Sequence, residues 1–266
     1  MEKQILFLGK IINFKSEGNG QTVVLLHGFL ESIQIWEEFS ELLSQKFNVV
    51  AIDLPGHGKT DNFSEVHTME FMADAVKAVL DFLNIGNCVM IGHSMGGYTT
   101  LAFAEKYPEY LKGFCLFHSQ AEADSPEAKI NRDRTVKIVE KDSIGFISNF
   151  IPDLFVHENI KRFDKKIEVM KTRAMKTSKE GIIAALLGMK ERTSKLNFLK
   201  TINIPVLFIV GKQDKRIPTE TVLQQAALPS HSEILILGNV GHMGYIEAKE
   251  ETLKAVVCFV EKLAGH

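Results

Sequence analysis

Short apolar runs alternate with helical periods along most of the chain. Ile5–Leu8 and Ile11–Phe14 flank Gly9-Lys10 and predict an opening hairpin. Thr22–Leu26 predicts a strand that stops at His27-Gly28, and Val49–Ile52 one that stops at Asp53-Leu54-Pro55-Gly56. Between them, Ile35–Leu43 has helical spacing, with Ser32 as a candidate cap. From Thr68 to Leu83 the pattern is helical: Thr68 can cap, and Phe71, Met72, Ala75, Val76, Val79 and Leu80 share one side. Cys88–Ile91 predicts a strand, Tyr98–Lys106 a helix and Gly113–Phe117 another strand. Val206–Val210 and Ile234–Leu237 are strands near the end, and Leu253–Leu263 is a closing amphipathic helix. Near-continuous apolar strands separated by helices predict an α/β fold, with a parallel sheet covered on both faces.

Residues 120–200 break that rhythm. They show helical periods only, and they carry 17 basic and 12 acidic residues, a balance of +5 in a chain of net charge −2. The expected organisation is a core from 1–119 and 201–266, with 120–200 as an all-helical cap over the carboxyl ends of the strands. Inward candidates in the cap are Phe146, Phe150, Leu154, Phe155, Leu186 and Leu187.

The near-zero charge gives no reason to expect a nucleic acid or an anionic membrane as partner. No segment is long and apolar enough for a membrane span. The amino-terminal apolar stretch is interrupted by Gly9 and Lys10 and reads as a strand, not a signal peptide. Cys88, Cys115 and Cys258 all lie in apolar runs. An odd number of buried-looking thiols fits free cysteines in a reducing compartment, so a cytoplasmic location is expected. Nothing in the sequence sets the oligomeric state.

The chemistry concentrates at Gly92-His93-Ser94-Met95-Gly96. A Gly-x-Ser-x-Gly between a strand and a helix is the pattern of a nucleophile elbow, which holds a serine hydroxyl clear of the backbone above a sheet. A serine nucleophile needs a base and an orienting acid. His242, in a glycine-rich loop after the last strand, is the candidate base. Asp214, just past Val206–Val210, is the candidate acid, with Asp124 as the alternative. The order Ser94, Asp214, His242 is the one the elbow's fold requires. His27, Asp53, His57 and His93 read as loop supports. His118, Ser119 and Gln120 end a strand, where they could line a pocket, as could Trp36. No His-Glu-x-x-His, cysteine cluster or dinucleotide-type glycine loop occurs, so no metal and no cofactor is expected.

With Leu25-Leu26-His27-Gly28-Phe29, Asp53-Leu54-Pro55-Gly56-His57-Gly58, Gly92-His93-Ser94-Met95-Gly96-Gly97, Gly211-Lys212-Gln213-Asp214 and Gly241-His242 together, the chain resembles an α/β-hydrolase of the esterase, C–C hydrolase and cofactor-free haloperoxidase grouping. The resemblance covers nearly the full length. It implies that the backbone N–H groups of Phe29 and Met95 form an oxyanion hole. It also separates the chain from relatives with an aspartate nucleophile, since position 94 is serine.

The expected activity is hydrolysis of a small, fairly apolar carboxylic ester or thioester through an acyl-enzyme. The same triad could serve C–C bond hydrolysis, perhydrolysis or a lyase reaction. A small-ligand receptor with vestigial hydrolysis is the other alternative. Phe146, Phe150 and Leu154 are the cap residues expected in the pocket, beside Trp36 and His118.

Overall fold

The computed structural model describes residues 2–264. Strands β1 (Glu2–Phe7) and β2 (Lys10–Glu17) form the opening hairpin, turning at Leu8 and Gly9 with φ of 50° and 80°. Then come β3 (Thr22–Leu26), a 3-10 turn at Ile33–Trp36, α1 (Glu37–Leu43), β4 (Asn48–Ile52) and α2 (Met69–Phe82). Ser32 and Thr68 cap as their sequence positions suggest: each side chain accepts a backbone N–H, from Gln34 and Phe71. The chain continues through β5 (Cys88–His93), α3 (Met95–Lys106) and β6 (Leu111–Phe117).

Between β6 and the next strand the described residues hold helices and 3-10 turns only. These are α4 (Pro126–Phe150, kinked at Asp142), α5 (Asp164–Ala174), α6 (Lys179–Glu191) and α7 (Leu196–Thr201). The core then resumes with β7 (Val206–Gly211), α8 (Thr219–Ala226), β8 (Ser232–Leu237), α9 (Gly244–Glu247) and α10 (Lys249–Ala264). Helix α8 follows Pro218 and was not foreseen from the apolar pattern; its eight residues bury only Val222, Gln225 and Ala226.

The eight strands form one sheet in the order β1-β2-β4-β3-β5-β6-β7-β8. β1 and β2 are antiparallel to their neighbours, and β4 through β8 run parallel. Strands β3, β5 and β7 are buried at every residue, as expected for strands packed on both faces. The chain order reverses between β3 and β5. At such a switch point the loops leaving the two carboxyl ends part and open a crevice. Both the Phe29 loop and Ser94 leave the sheet there.

One cysteine departs from expectation. Cys88 and Cys115 are buried, but Cys258 is exposed. On α10 the buried stripe is Thr252, Val256, Phe259 and Val260. Cys258 lies two residues from Val256, about 200° around the helix, and so faces outward.

Candidate active site

Ser94 sits between β5 and α3 with φ 51° and ψ −113°, a backbone conformation that non-glycine residues adopt only where the surroundings impose it. Its N–H donates to the Phe117 carbonyl at 2.9 Å, and its carbonyl accepts the Ser119 hydroxyl at 2.8 Å. A side chain at Gly96 would lie 2.5 Å from the Leu26 carbonyl oxygen, so glycine there lets α3 start against β3. Ser94 is partly open, whereas its neighbours His93 and Met95 are buried.

Ser94 and His242 border the same cavity, of about 1000 Å³. His242 Nδ1 lies 2.8 Å from Asp214 Oδ2. The other Asp214 oxygen accepts N–H groups from Arg216 at 2.8 Å and Ile217 at 3.0 Å. Burial alone would raise the Asp214 carboxyl; the positive charge available at His242 and the hydrogen bonds from both histidines outweigh it and hold the group well below the usual carboxylate range. The arrangement leaves His242 Nε2 as the ring nitrogen free to exchange a proton with a reacting group.

A second histidine shares that carboxylate. His118 Nδ1 lies 2.9 Å from Asp214 Oδ2, and the His118 side chain is fully buried. His118 has φ 49°, which turns it from the end of β6 toward Asp214. Burial presses its pKa down to about 4 against the pull of Asp214, so it is neutral near pH 7. His118, Asp214 and His242 have the composition of a metal-ligand set. In this structure each Nδ1 is in hydrogen-bond contact with Asp214 Oδ2, at 2.8 and 2.9 Å.

The pocket residues expected from sequence divide. Phe146, Phe150, Leu154 and Leu186 line the cavity, joined by Phe29 from the loop after β3. Trp36 and His118 do not. Trp36 is fully buried in the core against Phe39, Phe117 and Tyr245, because the 3-10 turn at Ile33–Trp36 packs it down onto the sheet. His118 is drawn away by Asp214. Phe155 and Leu187 lie outside the lining, and the Met95 side chain is buried in the core. The cavity wall is also more charged than the apolar pattern suggests, with Asp124, Arg132, Arg192, Lys215 and Arg216 on it. Asp124 is engaged by Arg132 Nε at 2.5 Å and Arg192 Nη1 at 2.6 Å, not by a histidine.

The loop supports are as expected. His27 accepts the Leu54 N–H at Nε2 (2.9 Å) and so donates from Nδ1 to the Gly28 carbonyl at 2.8 Å. Asp53 accepts from Ile33 N–H, Lys59 N–H and Asn13 Nδ2, which braces the loop after β3. Two acids were not foreseen. Glu31 accepts the Gly28 N–H at 2.6 Å and bonds His93. Glu247 accepts from Gly241 N–H, Val156 N–H and Asn159 Nδ2, joining the loop of His242 to the segment after α4. Neither lies in a motif or beside its partner in sequence, so no local signal marks them.

The comparisons agree with this fold. The sequence matches the family described as alpha/beta hydrolase fold over residues 21–249. The structure superposes with a TM-score of 0.93 on a malate-bound thermophilic esterase from Thermogutta terrifontis, 32% identical, over 99% of both chains. The chain is 26% identical to the dihydrolipoyllysine-residue acetyltransferase component of the acetoin cleaving system of Pseudomonas putida, over 94% of this chain and 66% of that protein. It is also 26% identical to a 2-hydroxy-6-oxononadienedioate/2-hydroxy-6-oxononatrienedioate hydrolase of Pseudomonas putida, over 94% of this chain and 91% of that one. Among the described residues no helix is long and apolar enough to cross a membrane. A family match over most of the length, with the sheet order and crossovers to go with it, means that the chain belongs to the alpha/beta hydrolase fold family.

Proposed function

We propose that the protein is a serine hydrolase of carboxylic esters or thioesters. The observation that carries this reading is the Asp214–His242 hydrogen bond, placed so that His242 borders one cavity with Ser94 on its strained elbow. Ser94 Oγ attacks the substrate carbonyl and passes its proton to His242 Nε2. Asp214 holds the tautomer and stabilises the imidazolium. The oxyanion receives the N–H groups of Phe29 and Met95, each worth about 3 kcal/mol. Met95 opens α3, where backbone donors have no partner within the helix. His242 returns the proton to the leaving alcohol or thiol. It then draws a proton from water, whose oxygen takes the acyl group from Ser94, and returns that proton to Ser94 Oγ.

Helices α4 to α7 act as a cap that sets substrate choice, on the support of Phe146, Phe150, Leu154 and Leu186 in the cavity wall. The apolar residues favour a small, fairly apolar acyl group, and the charged residues of the wall suit a polar end. The 32% identical esterase supports the ester reading. A second reading is the same residues hydrolysing a carbon–carbon bond; the similarity to the nonadienedioate hydrolase favours it. Buried free thiols at Cys88 and Cys115 support a reducing, cytoplasmic setting.

Labelling with a fluorophosphonate probe tests the reading without knowledge of the substrate. Wild-type protein labels at Ser94 and Ser94→Ala does not. A panel of esters, thioesters and vinylogous diketones then separates the two bond types.

A further inference from the structure

We propose that Glu31 and His93 form a buried ion pair that positions the oxyanion loop, the nucleophile elbow and the loop of His242 against one another. The proposal rests on the serine-hydrolase reading and adds two positioning residues to it. His93 Nε2 lies 3.0 Å from the His242 carbonyl oxygen, which can only accept, so Nε2 carries a proton. His93 Nδ1 lies 2.9 Å from Glu31 Oε2. Glu31 already accepts the Gly28 N–H at Oε2 and the Tyr245 hydroxyl at Oε1, at 2.6 and 2.9 Å. A carboxylate accepting several donors is stabilised in its ionised form. An ionised Glu31 can only accept, so Nδ1 carries the second proton and His93 is an imidazolium.

The side chains of His93 and Glu31 are 1% and 2% exposed. Burial alone would press both toward neutrality. The charge of each and the hydrogen bond between them outweigh it, holding His93 above its ordinary range and Glu31 below. The other titratable groups facing the pair are His27, His118, Asp214, His242 and Tyr245.

The contacts explain the backbone around them. Leu30 has φ 61°, which turns the chain so that Glu31 points inward. A side chain at Gly28 would lie 2.7 Å from Glu31 Oε2 and 2.9 Å from His93 Nδ1, so the pair needs glycine there. Gly28 precedes Phe29, His93 precedes Ser94, and the accepting carbonyl is that of His242. One pair therefore touches the three segments that carry the proposed chemistry. It also settles a charge problem: Glu31 borders the cavity with Ser94, where an unpaired carboxylate would oppose a developing oxyanion.

The test uses the full chain, 15N-labelled, at pH 8. Ring nitrogens of His93, assigned by their loss in His93→Gln, are expected to be both protonated in the wild type. In Glu31→Gln the Nδ1 proton is expected to be lost. The same variant is expected to lower kcat about 10²-fold, as for misplacement of reacting groups, with KM changed less than about 3-fold. If Glu31→Gln does not fold, the wild-type spectrum still decides the charge. Tyr245→Phe, which removes one donor to Glu31, then carries the kinetic arm with kcat lowered about 3- to 10-fold. An unprotonated Nδ1 in the wild type overturns the ion pair, and wild-type kcat in the variants overturns the positioning role. Absence of fluorophosphonate labelling at Ser94 in the wild type overturns the hydrolase reading and the positioning role with it, whereas a labelled protein with neutral His93 overturns the ion pair alone.

Discussion

The backbone N–H of His242 donates to the carbonyl of Leu154 at 2.8 Å. Leu154 lies in a 3-10 turn just after α4, and its side chain lines the cavity. The loop that carries the candidate base is thus hung from the segment that shapes the pocket. Glu247 adds two further bonds between the same two segments, from Val156 N–H and Asn159 Nδ2, and a third to Gly241 N–H within the His242 loop. Glu247→Ala removes the acceptor from three donors in a buried setting and should destabilise the fold by about 2 kcal/mol or more. It should also lower kcat, since the His242 loop loses its anchor. Thermal unfolding and steady-state kinetics on one variant check both; unchanged kinetics in a folded variant would show that Leu154 alone suffices.

Ser94→Ala should abolish ester hydrolysis and fluorophosphonate labelling while leaving the melting temperature close to wild type. The hydroxyl makes no hydrogen bond that holds the elbow; the Ser94 backbone groups do that. Labelling at the wild-type rate in this variant would remove Ser94 from the chemistry. A chelator such as EDTA should leave activity unchanged, and loss restored by zinc would point instead to the cluster of His118, Asp214 and His242.

Asp214→Asn should lower kcat by about 10⁴, because an amide favours the wrong tautomer of His242. Asp124→Asn should not, since that carboxylate serves Arg132 and Arg192. A large loss at Asp124 with little at Asp214 would reverse the assignment.

Acid should destabilise the fold well before the carboxylates titrate. Burial presses the pKa values of His27, His57 and His118 down to about 4, about 3 and about 4. Between those values and about 6.5 the unfolded chain binds protons that the folded chain does not. Their contribution is therefore fully present above about 6.5 and is lost as the pH falls toward 4. Glu31 and Asp214, both lowered, add a loss that begins only below the ordinary carboxylate range. His93, raised, works in the opposite sense and favours the fold at low pH. With at most about 1.4 kcal/mol per pH unit for each histidine, the melting temperature should fall by about 3 °C or more between pH 7 and pH 5. A flat profile across that range would mean that these histidines titrate normally in the fold.

Phe146→Ala and Leu186→Ala should shift the ratio of kcat/KM between short and long acyl esters by about 10-fold, as one methylene in an apolar pocket is worth about 1–3 kcal/mol. Labelling of Ser94 should persist. An unchanged chain-length profile in both variants would remove α4 and α6 from substrate choice.

The sequence by itself determined the parts of this protein that are written in short windows. Strand and helix periods are local, so the alternating core and the all-helical stretch from α4 to α7 could be read directly, with edges off by a few residues. The elbow is local too, because a strand, a tight turn and a helix start occupy adjacent residues, and chain order named Asp214 and His242 as the candidate acid and base. Only the tertiary structure decided which distant side chains meet. His118 and Asp214 are 96 residues apart and Glu31 and His93 are 62 apart, yet each pair is in hydrogen-bond contact. Parallel strands deliver all their carboxyl ends to one edge, so residues far apart in the chain converge there, and no periodicity records which ones. The same packing sent Trp36 and the Met95 side chain into the core, and drew His118 to a carboxylate instead of the cavity. A buried polar group must find partners wherever the fold places them, and that requirement is visible only once the strands lie side by side.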